Sequence, residues 1–183
     1  MSWYTIARES TLMQGDLITQ CPAPIADIPT WPLPDDFEPD VDIYTYDLII
    51  LSQSCDLDNN KIDDVILAHV IDWKSYHDEA VRQGKEHVKS TNFRRALIAG
   101  NVPNLSLLHK HEGQPTMNWS VVDFHRLFVL SKNLVSDVAD SAGPRLRLEP
   151  PYREHLAQAF ARYFMRVGLP HDAKDFVKEG KLA

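Results

Sequence analysis

The first candidate catalytic residue is Cys55, in the stretch "DLIILSQSCDLDNN" (47–60). Here a thiol and two carboxylates directly follow branched apolar residues. A catalytic cysteine needs a base, and His69 on the next predicted strand is the best placed, with Asp56 or Asp72 orienting the imidazole. This arrangement predicts a Cys55-dependent hydrolase or transferase. The alternative is a buried structural thiol at a strand end, which the acidic neighbour and the usual burial of free cysteine favour.

The second candidate is a group of basic residues that lie on, or just before, one face of the last long predicted helix. They are Arg145, Arg147, His155, Arg162 and Arg166. Guanidinium groups bind phosphates and carboxylates in forked geometry, so this group predicts RNA, DNA or an acidic partner protein as the binding partner. The alternative is pairing within the chain, because residues 144–183 carry a net charge of +3 and the preceding residues −10.

Metal and cofactor sites have weaker support. Neither Cys21 nor Cys55 has a nearby second cysteine, and the pair His109 and His111 sits at a solvated strand end. The acidic stretch "DLDNNKIDD" (56–64) lacks the glycine and the closing glutamate of a calcium loop. The sequence therefore predicts no metal and no cofactor.

The elements that must position these residues are mostly strands. Apolar and β-branched runs predict five of them, in the stretches 12–20, 46–53, 64–71, 104–110 and 119–130. The continuous apolar run Leu48 to Leu51 indicates burial on both faces, and the polar turn that follows it indicates a hairpin between the second and third strands. Glycine and aspartate at 15 and 16 predict a turn into the first strand.

Three other segments complete the predicted architecture. The proline-rich segment 21–40 predicts an extended loop without ladder hydrogen bonds, and residues 73–90 predict a helical insertion. The stretch 151–168 predicts an amphipathic C-terminal helix packed through Phe160, Tyr163 and Phe164. The fold class predicted is α+β in a single domain, 1–183, built on a small bent antiparallel sheet or SH3-like β-barrel at about 12–140.

Composition limits the class of protein further. The chain has 183 residues, a hydrophobic fraction of 44% and a net charge of −7, which disfavours general affinity for nucleic acid. No apolar run is long enough to span a membrane, and the first residues lack the pattern of a secretion signal. We therefore expect a cytoplasmic protein with unpaired cysteines and no membrane partner.

The order "QGDLI", "LIILSQS", "VILAHVI", "LSLLHK", "VVDFHRLFVLSKNLVSDV" and a final helix resembles the SH3-like barrel of the PemK/MazF growth-inhibitor family. The resemblance implies a bacterial toxin-like or mobile-element-associated protein that forms a homodimer through its barrel. Ribonuclease members of that family use an arginine before the second strand and a hydroxyl after the third. No arginine lies at 44–47 and the second place offers His69, Asp72 or Ser75, so we expect binding without cleavage.

The whole chain, above all "LSQSCDL" and "PYREHLAQAFARYFMRVGLP", also resembles an uncharacterised bacterial protein family. That resemblance implies no activity.

Overall fold

The computed structural model describes residues 2–27, 31–34 and 36–165. Its strands are β1 Tyr4–Ala7, β2 Leu17–Asp27, β3 Asp40–Ile50, β4 Asp64–Asp72, β5 Leu105–Leu108, β6 Ser120–Ser131 and β7 Arg145–Leu148. Its α-helices are α1 Ser54–Asp58, α2 Trp73–Arg82, α3 Thr91–Ile98, α4 Lys132–Ala142 and α5 Tyr152–Phe164, and a 3-10 helix spans Glu86–Lys89. The chain is thus of the α+β class.

The described strands form two antiparallel sheets, and neither sheet closes into a barrel. Five strands pair in the order β2-β3-β4-β6-β5, while β1 pairs with β7 in a separate two-stranded sheet. The predicted SH3-like barrel is therefore wrong, although the sheets are antiparallel as predicted. The first and last strands of the five-stranded sheet remain edges, since β1 pairs with a strand late in the sequence instead of closing the sheet.

The proline-rich segment is only partly a loop, which corrects the prediction for 21–40. Strand β2 continues through Pro22 and Pro24 to Asp27 and pairs with β3 on both sides of an irregularity between Ile18 and Cys21. Proline is tolerated there because β2 is an edge strand, where a missing N–H can face away from the ladder. The turn into β2 is as predicted: Gly15 has a φ of +84°, and its Cα lies so close to Leu148 that a side chain would collide with it.

The core lies on both faces of the five-stranded sheet, as the run Leu48 to Leu51 predicted, since all four residues are buried. On one face Ile49, Val122 and Phe124 pack against α5 and the two-stranded sheet. The opposite face divides into two groups. One packs against α1 and α4, and the other packs against α2 and α3 of the helical insertion.

The helices follow the predicted periodicity with shifted boundaries. The insertion predicted at 73–90 begins at Trp73, where Asp72 caps α2, and it extends through α3 to Ile98. Helix α5 buries Leu156 and packs Phe160 and Tyr163 against the core, but Phe164 is 59% exposed, contrary to prediction. Phe164 is the last residue of the helix, where fewer core residues cover its side chain. The predicted helical residues 166–168, including Arg166, lie outside the described residues.

Candidate functional site

Cys55 lies in α1 and is exposed, so its interpretation as a buried strand-end thiol is wrong. The strand ends at Ile50, four residues earlier than the helix begins, and the chain returns to the surface in between. Among the described residues, the thiol bonds to two side chains of its own helix region: Gln53 Oε1 at 3.6 Å and Asp56 Oδ1 at 3.7 Å. The carboxylate of Asp56 also lies 3.8 Å from Lys61 Nζ on the surface.

Among the described residues, no hydrogen bond connects His69 to Cys55. The connection after β3 meets β4 at Ile66, whose N–H donates to Ser52 Oγ at 2.9 Å. His69 lies three residues beyond Ile66 on β4, which is about 10 Å from Ile66 at the usual rise of a strand. Its ring instead contacts the edge of Tyr46 at a centroid distance of 5.2 Å.

The surroundings of His69 disfavour the charged form of its imidazole. Burial, and then the positive charge of Arg126, lower the pKa of His69 below its usual value. Its Nδ1 atom is buried and has no hydrogen-bond partner among the described residues. Asp72, considered above as an orienting group, accepts hydrogen bonds from the N–H groups of Lys74 and Ser75 and so serves as the N-cap of α2.

Arg145 and Arg147 do not form part of a basic surface, because their exposed fractions are only 6% and 8%. Both guanidinium groups bind the carboxylate of Asp16, which is wholly buried. Each also donates to the carbonyl oxygen of Thr11, and Arg147 pairs with Glu9. For these two residues the alternative of pairing within the chain holds. We call this set of four charged side chains the Asp16 network.

His155 and Arg162 are exposed on α5, on one wall of a groove of about 480 Å³. The opposite wall is the end of α3 with Ala99 and Gly100, the floor is β5, and one end is closed by Trp3 and Trp119. The guanidinium of Arg162 lies close to Gly100, where a side chain would come within 3.4 Å of its Nη2. We call this feature the α5 groove.

The charge of the α5 groove differs from that of the protein. The chain carries 26 acidic residues, yet none of the residues that line the groove is acidic. Arg162 forms no ion pair with any other described residue, whereas Arg153 on the same helix pairs with Glu154. A cation without a partner, in a concave site without acids, is available to an anionic ligand.

Aromatic rings make up one end of the α5 groove and lie in a continuous row. Trp3 stacks on Tyr152 with a centroid distance of 4.0 Å and an interplanar angle of 12°. His109 lies 5.6 Å from Trp3 and 4.3 Å from Trp119, which is 40% exposed. The row therefore ends in a partly open indole beside the groove, a surface on which a planar ring can stack.

Sequence reasoning found the polar wall of this groove but not its aromatic end. The spacing of His155 and Arg162 on a helix was sufficient to place them on one face. Trp3 and Trp119 are 116 residues apart in the sequence, and the ring of His109 contacts both. The sequence signal that was missed is the short apolar stretch of β1, which indicates a strand next to Trp3.

No described helix has the length and hydrophobicity needed to cross a membrane. Comparisons with protein-family models, with curated proteins and with solved structures find no match to this chain.

Proposed function

We propose that the protein binds single-stranded nucleic acid in the α5 groove. The observation that carries the proposal is the composition of the groove. Its lining includes a histidine, aromatic rings and an arginine that forms no ion pair with another described residue, and it includes no acidic residue. Proteins that bind single strands combine cations for the phosphates with rings on which bases stack.

The basic and the aromatic parts of the groove would bind different parts of the nucleic acid. Arg162 and His155 would contact the phosphates, and the open indole of Trp119 would stack on a base. The groove has a helix on each side and β5 as its floor. It suits single-stranded nucleic acid better than a duplex, because the bases of a duplex are not free to stack. The net charge of −7 opposes binding elsewhere on the surface.

The wider expectation of a toxin-like or mobile-element-associated protein remains a prediction, and the open sheet lends the barrel resemblance no support. The Cys55-dependent enzyme likewise remains a prediction, and among the described residues the thiol bonds to Gln53 and Asp56 and not to His69.

The test is the anisotropy of a fluorescent single-stranded oligonucleotide, of DNA and then of RNA, titrated with protein over a range of salt concentrations. We expect affinity to fall with salt, and Arg162→Ala to weaken binding about tenfold, the worth of one charged hydrogen bond. Arg82→Ala is the matched control, because Arg82 is exposed on α2, away from the groove. No binding at low salt, or equal loss in both variants, would reject the proposal.

A further inference from the structure

Strands β2 and β3 extend beyond the five-stranded sheet as a two-stranded ribbon. They pair with each other from Leu17–Ile49 out to Asp27–Asp40, but β3 pairs with β4 only at residues 48–50. Residues 21–27 and 40–46, which we call the ribbon, therefore have no third strand among the described residues. Residues 40–45 are all exposed.

The two edges of the ribbon differ in their capacity to accept another strand. On the β2 edge, Pro22 and Pro24 have no N–H to offer, a common protection against strand addition. The β3 edge carries no proline in the ribbon. An added strand would therefore pair with β3.

The prolines also determine which groups of β3 point outward. A pair that includes proline cannot exchange both ladder hydrogen bonds, so Pro22–Thr45 and Pro24–Ile43 are pairs of the type without hydrogen bonds. In such pairs the N–H and C=O groups face away from the partner strand. Val41, Ile43 and Thr45 thus present their backbone groups to the open edge.

The side chains along that edge are apolar to an unusual degree. Ile43 is 69% exposed, Tyr44 50% and Val41 45%, and Ile25 beside them is 38% exposed. Val41 and Ile43 lie on one face of β3 by strand alternation, with Pro22 and Pro24 of β2 on the same face. Exposed apolar residues on an open edge are what pairing with another strand would cover.

A second copy of β3 fits this edge in a register centred on Ile43. With Ile43 opposite Ile43 of an antiparallel copy, Val41 lies opposite Thr45, and all three present hydrogen-bonding groups to each other. Asp40 and Asp42 then lie opposite Tyr46 and Tyr44 of the other copy. With Val41 at the centre, Asp40 would lie opposite Asp42, and facing carboxylates repel.

We propose that the protein forms a two-fold symmetric homodimer in which the open edges of β3 pair antiparallel, with Ile43 at the axis. Such an interface is self-complementary, as a two-fold dimer requires. The pairing covers only a short strand from each copy, so it is smaller than a permanent interface and we expect it to dissociate on dilution. The surface is separate from the α5 groove.

Sedimentation equilibrium, over protein concentrations from about 1 to 500 µM, measures the self-association. We expect Ile43→Asp to weaken the dimer at least about tenfold, since it places two carboxylates together at the axis. Val129→Asp is the matched control, because Val129 is 64% exposed on β6, outside the ribbon. A monomer at every concentration, or a dimer that Ile43→Asp leaves intact, would overturn the proposal.

Cross-linking tests the register in a Cys55→Ser background, which removes the exposed native thiol. Ile43→Cys brings two thiols to the axis, where Cα atoms of a hydrogen-bonded pair are about 5.5 Å apart and within reach of a disulfide. Val41→Cys places them about 14 Å apart along the strands. We expect oxidation to give covalent dimers with Ile43→Cys alone. Equal cross-linking of both variants, or of neither, would contradict this register.

Discussion

Arg145 donates its Nε hydrogen to the carboxylate of Asp16 at 2.8 Å, although the two residues are 129 positions apart in the sequence. Arg147 binds the same carboxylate, which also accepts the N–H of Met13. The contact fastens the turn before β2 to β7, the strand that leads into α5. The Asp16 network thereby fixes β7, whose Leu148 lines the α5 groove, while none of the four charged residues lines it.

Removal of Asp16 tests this structural role. Asp16→Ala removes the buried anion that both guanidinium groups bind and leaves Arg147 only the half-exposed Glu9. We therefore expect the free energy of unfolding to fall by about 3–5 kcal/mol, measured by urea denaturation. Asp78→Ala removes an exposed carboxylate that pairs with Lys74, and should cost far less, because solvent screens the pair. Similar losses in the two variants would contradict a role for the buried network.

Asp72 provides a test of the helical insertion. Its side chain caps α2, and asparagine caps helices as well as aspartate does, so Asp72→Asn should retain stability. Asp72→Ala should lose about 1 kcal/mol. If instead the charge of Asp72 is what matters, Asp72→Asn will be as unstable as Asp72→Ala in the same denaturation experiment.

The sequence was sufficient to predict elements with strong local signals. The strands around 48–51 and 120–131 and the helix after Pro151 are present, because an apolar run buried on two faces and a helical stripe each have one stable arrangement. Burial of Arg145 and Arg147 was not predictable. The charges that neutralise them lie more than 120 positions away, and β7 looks polar until β1 and Asp16 pack against it.

Cys21 and Cys55 should differ in their reaction with a thiol reagent. Cys55 is exposed and Cys21 is fully buried in the core, and burial raises the pKa of Cys21 to about 11. Near neutral pH we expect one thiol to be modified rapidly and the second only after unfolding. Cys55→Ser should abolish the rapid phase. A rapid phase that remains in this variant would show that Cys21 is accessible.

The same burial makes stability depend on alkaline pH. The thiol of Cys21 ionises in the unfolded chain near pH 9 but in the folded chain only near pH 11. Protonated Cys21 therefore favours the folded state at low pH, and this contribution is lost as pH rises from about 9 to about 11. Urea midpoints across that window should decline less in Cys21→Ala than in the natural protein. Equal declines would contradict the raised pKa.

His69 makes stability depend on acidic pH. The folded state lowers the pKa of His69 below its unfolded value near 6.5, so its contribution is present above that pH and is lost as pH falls below it. We expect the natural protein to lose more stability than His69→Gln when the pH falls from about 7.5 to about 5. A steeper loss in His69→Gln would show that the folded state favours the imidazolium.

The most direct test of the proposed function is whether a base stacks in the α5 groove. It compares the effects of substituting two tryptophans on binding. Trp119 is at the open end of the aromatic row, whereas Trp31 is 83% exposed and does not line the groove. One base stacked on an aromatic ring contributes about 1–3 kcal/mol. The account predicts that Trp119→Leu weakens binding of a single-stranded oligonucleotide at least about fivefold, measured by anisotropy at low salt, and that Trp31→Leu does not. Equal affinities for Trp119→Leu and the natural protein would contradict it.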